Sequence, residues 1–473
     1  MSVSANTPAA PEAHEQTSRT PVLYLLGSGL CWLLVGLILS ALASLKLHAP
    51  ECLPFAWAGV GRLQASASNV LLLGAASQTG LGIALWLLIH LGRTELACWG
   101  TAVIGTVVWN VALTAGVPAL LLGGSTGIPG LELPASLAVI LLVGYLLVAG
   151  NGIVAIAGCR RGGYAPSQWF ILGAILWFGW LYTTAVVSTV VFPGRGVLTA
   201  LSAGWFNQGF QWLWLTPLAL AALYHFIPDL SGTSLRSPEL APVAFWLLAL
   251  FGGWTAAAGI VGGPIPAWIV SVSVAAGVLL VIPVLLAAAN LNVGGSSSSP
   301  ALKFAKLATW SFTFGGLAYA VTSLRCAKAV LHFTQFEVAI RELLQFGFVT
   351  GALFAGAYAL VPRLAGRKLP NTTLSNAHFG LSLLGLIILV TAYAVGGWKQ
   401  GWALADAKLE LVSINAALKP WLRLHTAGLG VFLLGQFAFA ANVVLLLVSF
   451  ALPAGRTLVT EMTTGAAPAP AAK

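Results

Sequence analysis

The sequence predicts an all-α membrane protein, a bundle of about twelve transmembrane helices, and three observations predict it. Composition is the first: of 473 residues, 58% are hydrophobic and only 7% are charged, with a mean hydropathy of +0.92. Soluble domains carry about 25% charged residues, so a chain this apolar cannot cover its surface with polar groups and takes lipid as its solvent. The second is a series of apolar runs of roughly 20 residues or more, the length that spans a bilayer as a helix. The third is that glycine, proline and arginine punctuate the runs where helices would meet the head groups.

A window of about nineteen residues places the helices at 22–45, 66–92, 97–122, 135–158, 168–192, 199–227, 241–262, 267–289, 302–325, 335–361, 375–397 and 421–452. Several exceed what a bilayer requires, so tilted or protruding helices are expected. Residues 1–20, MSVSANTPAAPEAHEQTSRT, lack the basic start and apolar run of a cleavable signal and read as a polar tail. The fourth run stops at Arg160-Arg161-Gly162-Gly163 and the fifth at Phe192-Pro193-Gly194-Arg195. The eighth stops at Gly294-Gly295 before four serines, and the tenth at Pro362-Arg363. Residues 454–473, ending TTGAAPAPAAK, read as a second tail, leaving 21–453 as one membrane domain.

The net charge of +10 does not mark a nucleic-acid binder, because the basic residues stand singly between apolar runs. Lys and Arg in that pattern snorkel to lipid head groups. With the N-terminus inside, twelve fall on the inner side, including Arg19, Arg93, Arg160, Arg161, Arg236, Lys303, Lys306, Arg363, Arg367 and Lys368. Ten fall outside, four of them (Lys399, Lys408, Lys419 and Arg423) in an expected long loop over 398–423 that weighs less in the rule. Both termini are therefore expected in the cytoplasm, in a bacterial inner membrane. Cys31, Cys52, Cys98, Cys159 and Cys326 form no Cys-x-x-Cys pair and read as unreactive thiols. No internal repeat is evident, which counts against two-halved transporter folds.

Several phrases carry a resemblance. They are Gly59-Val60-Gly61-Arg62-Leu63, Leu176-Trp177-Phe178-Gly179-Trp180-Leu181-Tyr182, Leu215-Thr216-Pro217 with His225-Phe226-Ile227-Pro228, and His332-Phe333-Thr334 with Leu360-Val361-Pro362-Arg363-Leu364. Asn376-Ala377-His378-Phe379 and Trp398-Lys399-Gln400-Gly401-Trp402 complete the series. In order and spacing these resemble subunit I of the heme-copper oxidases, in particular the cbb-type enzymes, with nitric oxide reductase a cousin. The resemblance implies a cytochrome c oxidase subunit I-like bundle and a chemistry of six histidines. Two hold a low-spin haem, one a high-spin haem and three a copper ion.

Carried over position by position, those ligands are absent. The second-helix ligand falls on Ala67 and the sixth-helix copper ligand on Gln208. The adjacent pair on the seventh helix falls on Ala258 and Gly259, and the His-x-His of the tenth on Ile340 and Glu342. The ninth-helix redox tyrosine falls on Phe312. No register shift among the seven histidines restores a pair, and the methionines are Met1 and Met462 alone. The expectation is a chain with no cofactor; haem b and copper would enter only if the family pattern overrode the missing ligands.

The remaining candidates are polar groups that lipid makes costly, namely Asn207, Gln208, Gln211, Arg341, Glu342 and the outer-half His332. Arg341 and Glu342 point about 100° apart and so need partners on other helices. Gln208 and Gln211 share a face and are expected to hydrogen-bond across helices, or, in a sharper reading, to contact a ligand. Glu342 reads as charge-paired, with proton carrier or metal ligand as the alternative. Three functions follow. The first is a non-catalytic oxidase-like scaffold in a respiratory electron-transfer complex, partnered by lipid and by cytochrome c-type or oxidase-like subunits. The others are a terminal oxidase or nitric oxide reductase with substituted ligands, and a proton or ion conductor.

Overall fold

The computed structural model describes residues 13–159, 163–257, 259–260, 263–292 and 299–464, with side chains to residue 450. Every regular element among them is helical. Twelve main helical segments follow one another: α1 Gln16–His48, α2 Val60–Gly92, α3 Trp99–Leu121, α4 Ala135–Ala157, α5 Pro166–Val191 and α6 Val197–Ser231. They continue as α7 Leu240–Gly252, α8 Ala267–Leu291, α9 Pro300–Ser323, α10 Gln335–Ala365, α11 Thr372–Ala405 and α12 Leu411–Thr464. Ten are long and apolar enough to cross a membrane; α7 is short, and α9 carries Lys303 and Lys306 in its first turns.

Burial divides the bundle into an inner set and a lipid-facing set. More than three-quarters of the membrane window is buried in α2 (83%), α6 (78%) and α10 (83%), against 33–56% in the other seven. Helices that are apolar all round need this arrangement, since their faces see either protein or acyl chains. Glycine sets the closest approaches: a Cβ on Gly397 of α11 would collide with the backbone nitrogen of Phe336 at the start of α10. Small residues therefore fix how closely α10 lies on its neighbour.

One face holds the start of α1 with the ends of α2 and α10, because Glu15 bonds both His90 and Arg363. Arg367 adds α12 to that face by donating to the Ser449 carbonyl at 2.7 Å. The opposite face holds the end of α1 beside the outer parts of α10 and α12, through Ser44, His425 and Glu342.

The structure corrects the expected boundaries. Residues 13–20, read as tail, form a 3-10 turn and the first turn of α1, with Glu15 fully buried. Helix α12 runs to Thr464, past the expected tail boundary at 453. The expected loop over 398–423 shrinks to residues 406–410, because α11 and α12 extend beyond the apolar windows. Hydropathy marks where a helix leaves lipid, not where it ends, so the discount applied to Lys399, Lys408, Lys419 and Arg423 falls away. Conversely α7 ends at Gly252, ten residues early, at the Gly252-Gly253 pair. The expected breaks at Arg160–Gly162 and Gly294–Gly295 lie outside the described residues.

Candidate functional site

The three inner helices share a local distortion. Each contains a π-helical stretch, at Val70–Ala76 in α2, Phe210–Leu215 in α6 and Leu343–Val349 in α10. A wide turn breaks the i→i−4 ladder, and the freed groups need other partners. A hydroxyl stands directly after each stretch. Ser77 donates to the Leu72 carbonyl at 2.7 Å and Thr350 to the Gln345 carbonyl at 2.8 Å, each five residues back. Thr216 accepts from Gln211 Nε2 at 3.3 Å, also across five residues. In α6 the wide turn precedes Pro217, which has no N–H to give the ladder. Trp214 Nε1 donates to Ser77 Oγ at 2.9 Å and joins the distorted parts of α6 and α2. A fourth π stretch, Val187–Val191, lies at the end of α5.

Four of the six positions implied as metal ligands lie within three residues before these wide turns. Ala67 precedes the first, Gln208 the second, Ile340 and Glu342 the third. Ala67 is buried and packs with Leu39, Ala43, Ala58 and Leu63. Ile340 is buried in the main core. Phe312 is buried with its ring centroid 4.4 Å from that of Phe348. Gln208 Oε1 accepts from the Tyr319 hydroxyl of α9 at 2.9 Å, so it does bond across helices. Gln211 bonds within its own helix instead, because the wide turn rotates it away from the face that Gln208 occupies. Asn207 donates to the Pro129 carbonyl at 2.8 Å and the Ala203 carbonyl at 3.0 Å, tying α6 to the α3–α4 connection. Ala258 lies outside the described residues.

Two polar clusters occupy the face opposite the chain ends. In the first, His425 Nε2 donates to the Glu342 carboxylate at 3.0 and 3.1 Å, while its Nδ1 meets Ser44 Oγ at 2.9 Å. Ser44 Oγ also lies 2.8 Å from Thr426 Oγ1, which lies 3.0 Å from His48 Nε2. The His425 ring stacks flat on Tyr393, centroids 3.5 Å apart and planes within 2°. Glu342 thus has its hydrogen-bonding partner on another helix, whereas Arg341 is exposed and has no ion pair among the described residues. In the second cluster His332 Nδ1 donates to Glu337 at 3.0 Å and Nε2 to the Gly259 carbonyl at 3.0 Å, with Lys328 3.5 Å from the same carboxylate. An imidazole therefore reaches the backbone of one expected copper position, but as a hydrogen-bond donor.

These residues do not fit haem and copper. Axial ligation needs an unencumbered imidazole or equivalent donor aimed into a slot, and Ala67, Ile340 and Gly259 supply none. His425 has both nitrogens engaged and its face covered, as just described. His378 is buried and bridges the Tyr358 hydroxyl and Gln436 at 3.0 and 3.1 Å. His225 packs edge-on against Trp86 and His90 on the face of the chain ends. Among the described residues one group has metal-ligand spacing, His14 with Glu15 and His90. It lies on that same face, and the Arg363 guanidinium 2.9 Å from Glu15 already supplies the positive charge.

Sequence reasoning missed Glu15, Tyr319 and Tyr393. Tyr319 carried a readable signal: it stands seven residues, two turns, after Phe312 on one face of α9. A cavity of about 410 Å³ was also not foreseen, lined by Leu30, Leu71, Ala75, Phe346, Leu353 and Val443 among others, and with no histidine in its wall.

The profile of the family described as Cytochrome C and Quinol oxidase polypeptide I matches residues 20–462. The chain is 22% identical over 438 residues to "Cytochrome c oxidase subunit 1" of Rhodobacter capsulatus, covering 87% of this chain and 82% of that one. It is 23% identical over 260 residues to "Cbb3-type cytochrome c oxidase subunit CcoN1" of Stutzerimonas stutzeri, covering 52% and 55%. The chain spans about half the length of several curated relatives it matches. Its fold is similar to a chain of a heme-copper terminal oxidase dimer solved by cryo-electron microscopy, with TM-score 0.76, 13% identity, and 92% and 84% of the two chains covered.

Proposed function

The chain belongs to the cytochrome c and quinol oxidase polypeptide I family, and on that premise we propose that it is a haem- and copper-free scaffold within a respiratory electron-transfer complex. One observation carries this reading. The inner helices carry wide turns, and the positions within three residues before them hold Ala67, Gln208, Ile340 and Glu342, where the family resemblance implies imidazoles. The described histidines are engaged with other groups. A bundle of this kind offers partner subunits a shaped, rigid surface without performing chemistry, and fold membership alone confers none. We place it in the bacterial inner membrane with both termini cytoplasmic. Arg19, Arg236, Lys303, Arg363, Arg367 and Lys368 belong to the face of the chain ends, which holds twelve Lys and Arg against ten on the other, the sense that a cytoplasmic excess favours. Cytochrome c-type or oxidase-like subunits are the partners this reading implies.

The polar geometry supports a scaffold over a conductor. The file Glu342–His425–Ser44–Thr426–His48 stays on one face, and Glu15–His90–Arg363 on the other. The buried polar groups between them, Ser28–Gln78–Asn110 and His378–Gln436–Ser382, form separate clusters that hydrogen-bond to neither file among the described residues, whereas a proton path requires a file that crosses.

The test is direct. Protein purified from its own membrane is expected to show no α-band in a reduced-minus-oxidised spectrum, and less than one equivalent of iron or copper by elemental analysis. Stoichiometric b-type haem would overturn the proposal, and oxygen uptake by the isolated chain would restore the oxidase reading.

A further inference from the structure

We propose that the cleft between α1, α2, α10 and α12 is a binding site for an anionic glycerophospholipid, with an acyl chain inside and the phosphate at its basic mouth. The cavity measures about 410 Å³, within the roughly 300–1,000 Å³ of small-molecule sites. Its wall is almost entirely apolar, including Leu26, Leu33, Leu72, Phe346, Leu353 and Phe439. Such a space does not hold water, and left empty it deprives its lining of dispersion contacts. Hydrocarbon from the surrounding membrane is the occupant that satisfies both constraints.

Shape and charge specify the occupant further. The cleft runs along α1 from Arg19 to Leu33, about 21 Å at 1.5 Å per residue, against roughly 15 Å for the hydrocarbon of one leaflet. It therefore takes the length of an acyl chain. Its side opens toward lipid: Gly27 and Leu447 are exposed, and a Cβ on Gly27 would meet nothing within 4 Å. Arg19 lines the mouth, exposed and with no hydrogen bond or ion pair among the described residues. Arg367 stands beside it, its guanidinium 4.2 Å from the centroid of Phe450, another lining residue. Arg367 spends one nitrogen on Ser449 and keeps further N–H groups for a phosphate. No carboxylate lines the cleft. The site is independent of the scaffold reading, because an acyl chain needs neither its truth nor its failure.

The full chain, purified in detergent and delipidated, is examined by native mass spectrometry before and after titration with phosphatidylglycerol or phosphatidylcholine. One phosphatidylglycerol per chain is expected to persist, with phosphatidylcholine held about tenfold more weakly or worse, as two surface arginines predict. Arg19→Gln combined with Arg367→Gln is expected to erase that preference while the chain still binds lipid. Gly27→Trp, which places a ring in the open cleft, is expected to abolish retention with the thermal midpoint preserved. Ala76→Leu repeats the filling test should the first variant unfold. Equal retention of both lipids, no retained lipid, or retention unchanged in a folded filled variant would each overturn the site. Haem found in the same spectra would overturn the scaffold proposal separately.

Discussion

Replacing His425 by leucine is expected to destabilise the protein by about 3 kcal/mol, the cost of leaving a largely buried carboxylate without its charged or hydrogen-bonding partner. Glu342 is 13% exposed and His425 3%, so water cannot substitute for the lost imidazole. The same change removes the ring stacked on Tyr393 and takes one of its two partners from the Ser44 hydroxyl, leaving Thr426. Glu342→Gln is expected to cost less, about 1 kcal/mol, because an amide still hydrogen-bonds the ring and carries no charge to strand. The double variant is then expected to be more stable than His425→Leu alone, since the uncompensated charge is gone. Thermal unfolding of the four proteins in one detergent measures the cycle. If His425→Leu lowers the midpoint no more than Glu342→Gln does, the pair contributes nothing and the cluster is incidental.

The need for that pair was legible in the sequence; its partner was not. A carboxylate within an apolar run demands a compensating group, and the 100° offset excluded Arg341, which the structure leaves exposed. The compensating histidine stands 83 residues away on α12, a relation that only packing creates. Helix number and order were legible for a similar reason, since membrane insertion depends on hydropathy, a property of the chain read in one dimension. Ends were less so: α11 and α12 continue as helices past the lipid because nothing in their protruding turns breaks a helix. The wide turns were illegible, because one extra residue in a turn is decided by contacts between inner helices rather than by residue type. Their hydroxyl companions, Ser77, Thr216 and Thr350, are common enough in helices to carry no signal alone. The resemblance points to Ala67, Gln208, Ile340 and Glu342 as ligand positions, and the structure adds what stands around them.

Glu15 was illegible altogether, and it yields the second large effect. It lies in a polar stretch that reads as tail, yet its side chain is fully buried and its main partner is 348 residues away. Oε1 accepts from Arg363 at 2.9 Å and meets His90 Nδ1 at 2.6 Å, while Oε2 has no partner among the described residues. Arg363 also lies over Trp86, 5.0 Å from the ring centroid, and Trp86 stacks on His90 at 4.6 Å. The cluster clamps the start of α1 to the ends of α2 and α10. The two partners differ in how they tolerate loss. Arg363 is 23% exposed and can turn its guanidinium toward the head groups, whereas Glu15 has no exposed surface and no such escape. Arg363→Met is therefore expected to cost about 3–5 kcal/mol, and Glu15→Leu measurably less. Their combination is expected to recover part of the loss, because an apolar pair leaves no charge to desolvate. Limited proteolysis at the N-terminus supplies a second readout, with Arg363→Met expected to release residues near 13–20 for cleavage. A Glu15→Leu variant less stable than Arg363→Met would show that the carboxylate is not the stranded member, and that the clamp depends on the cation instead.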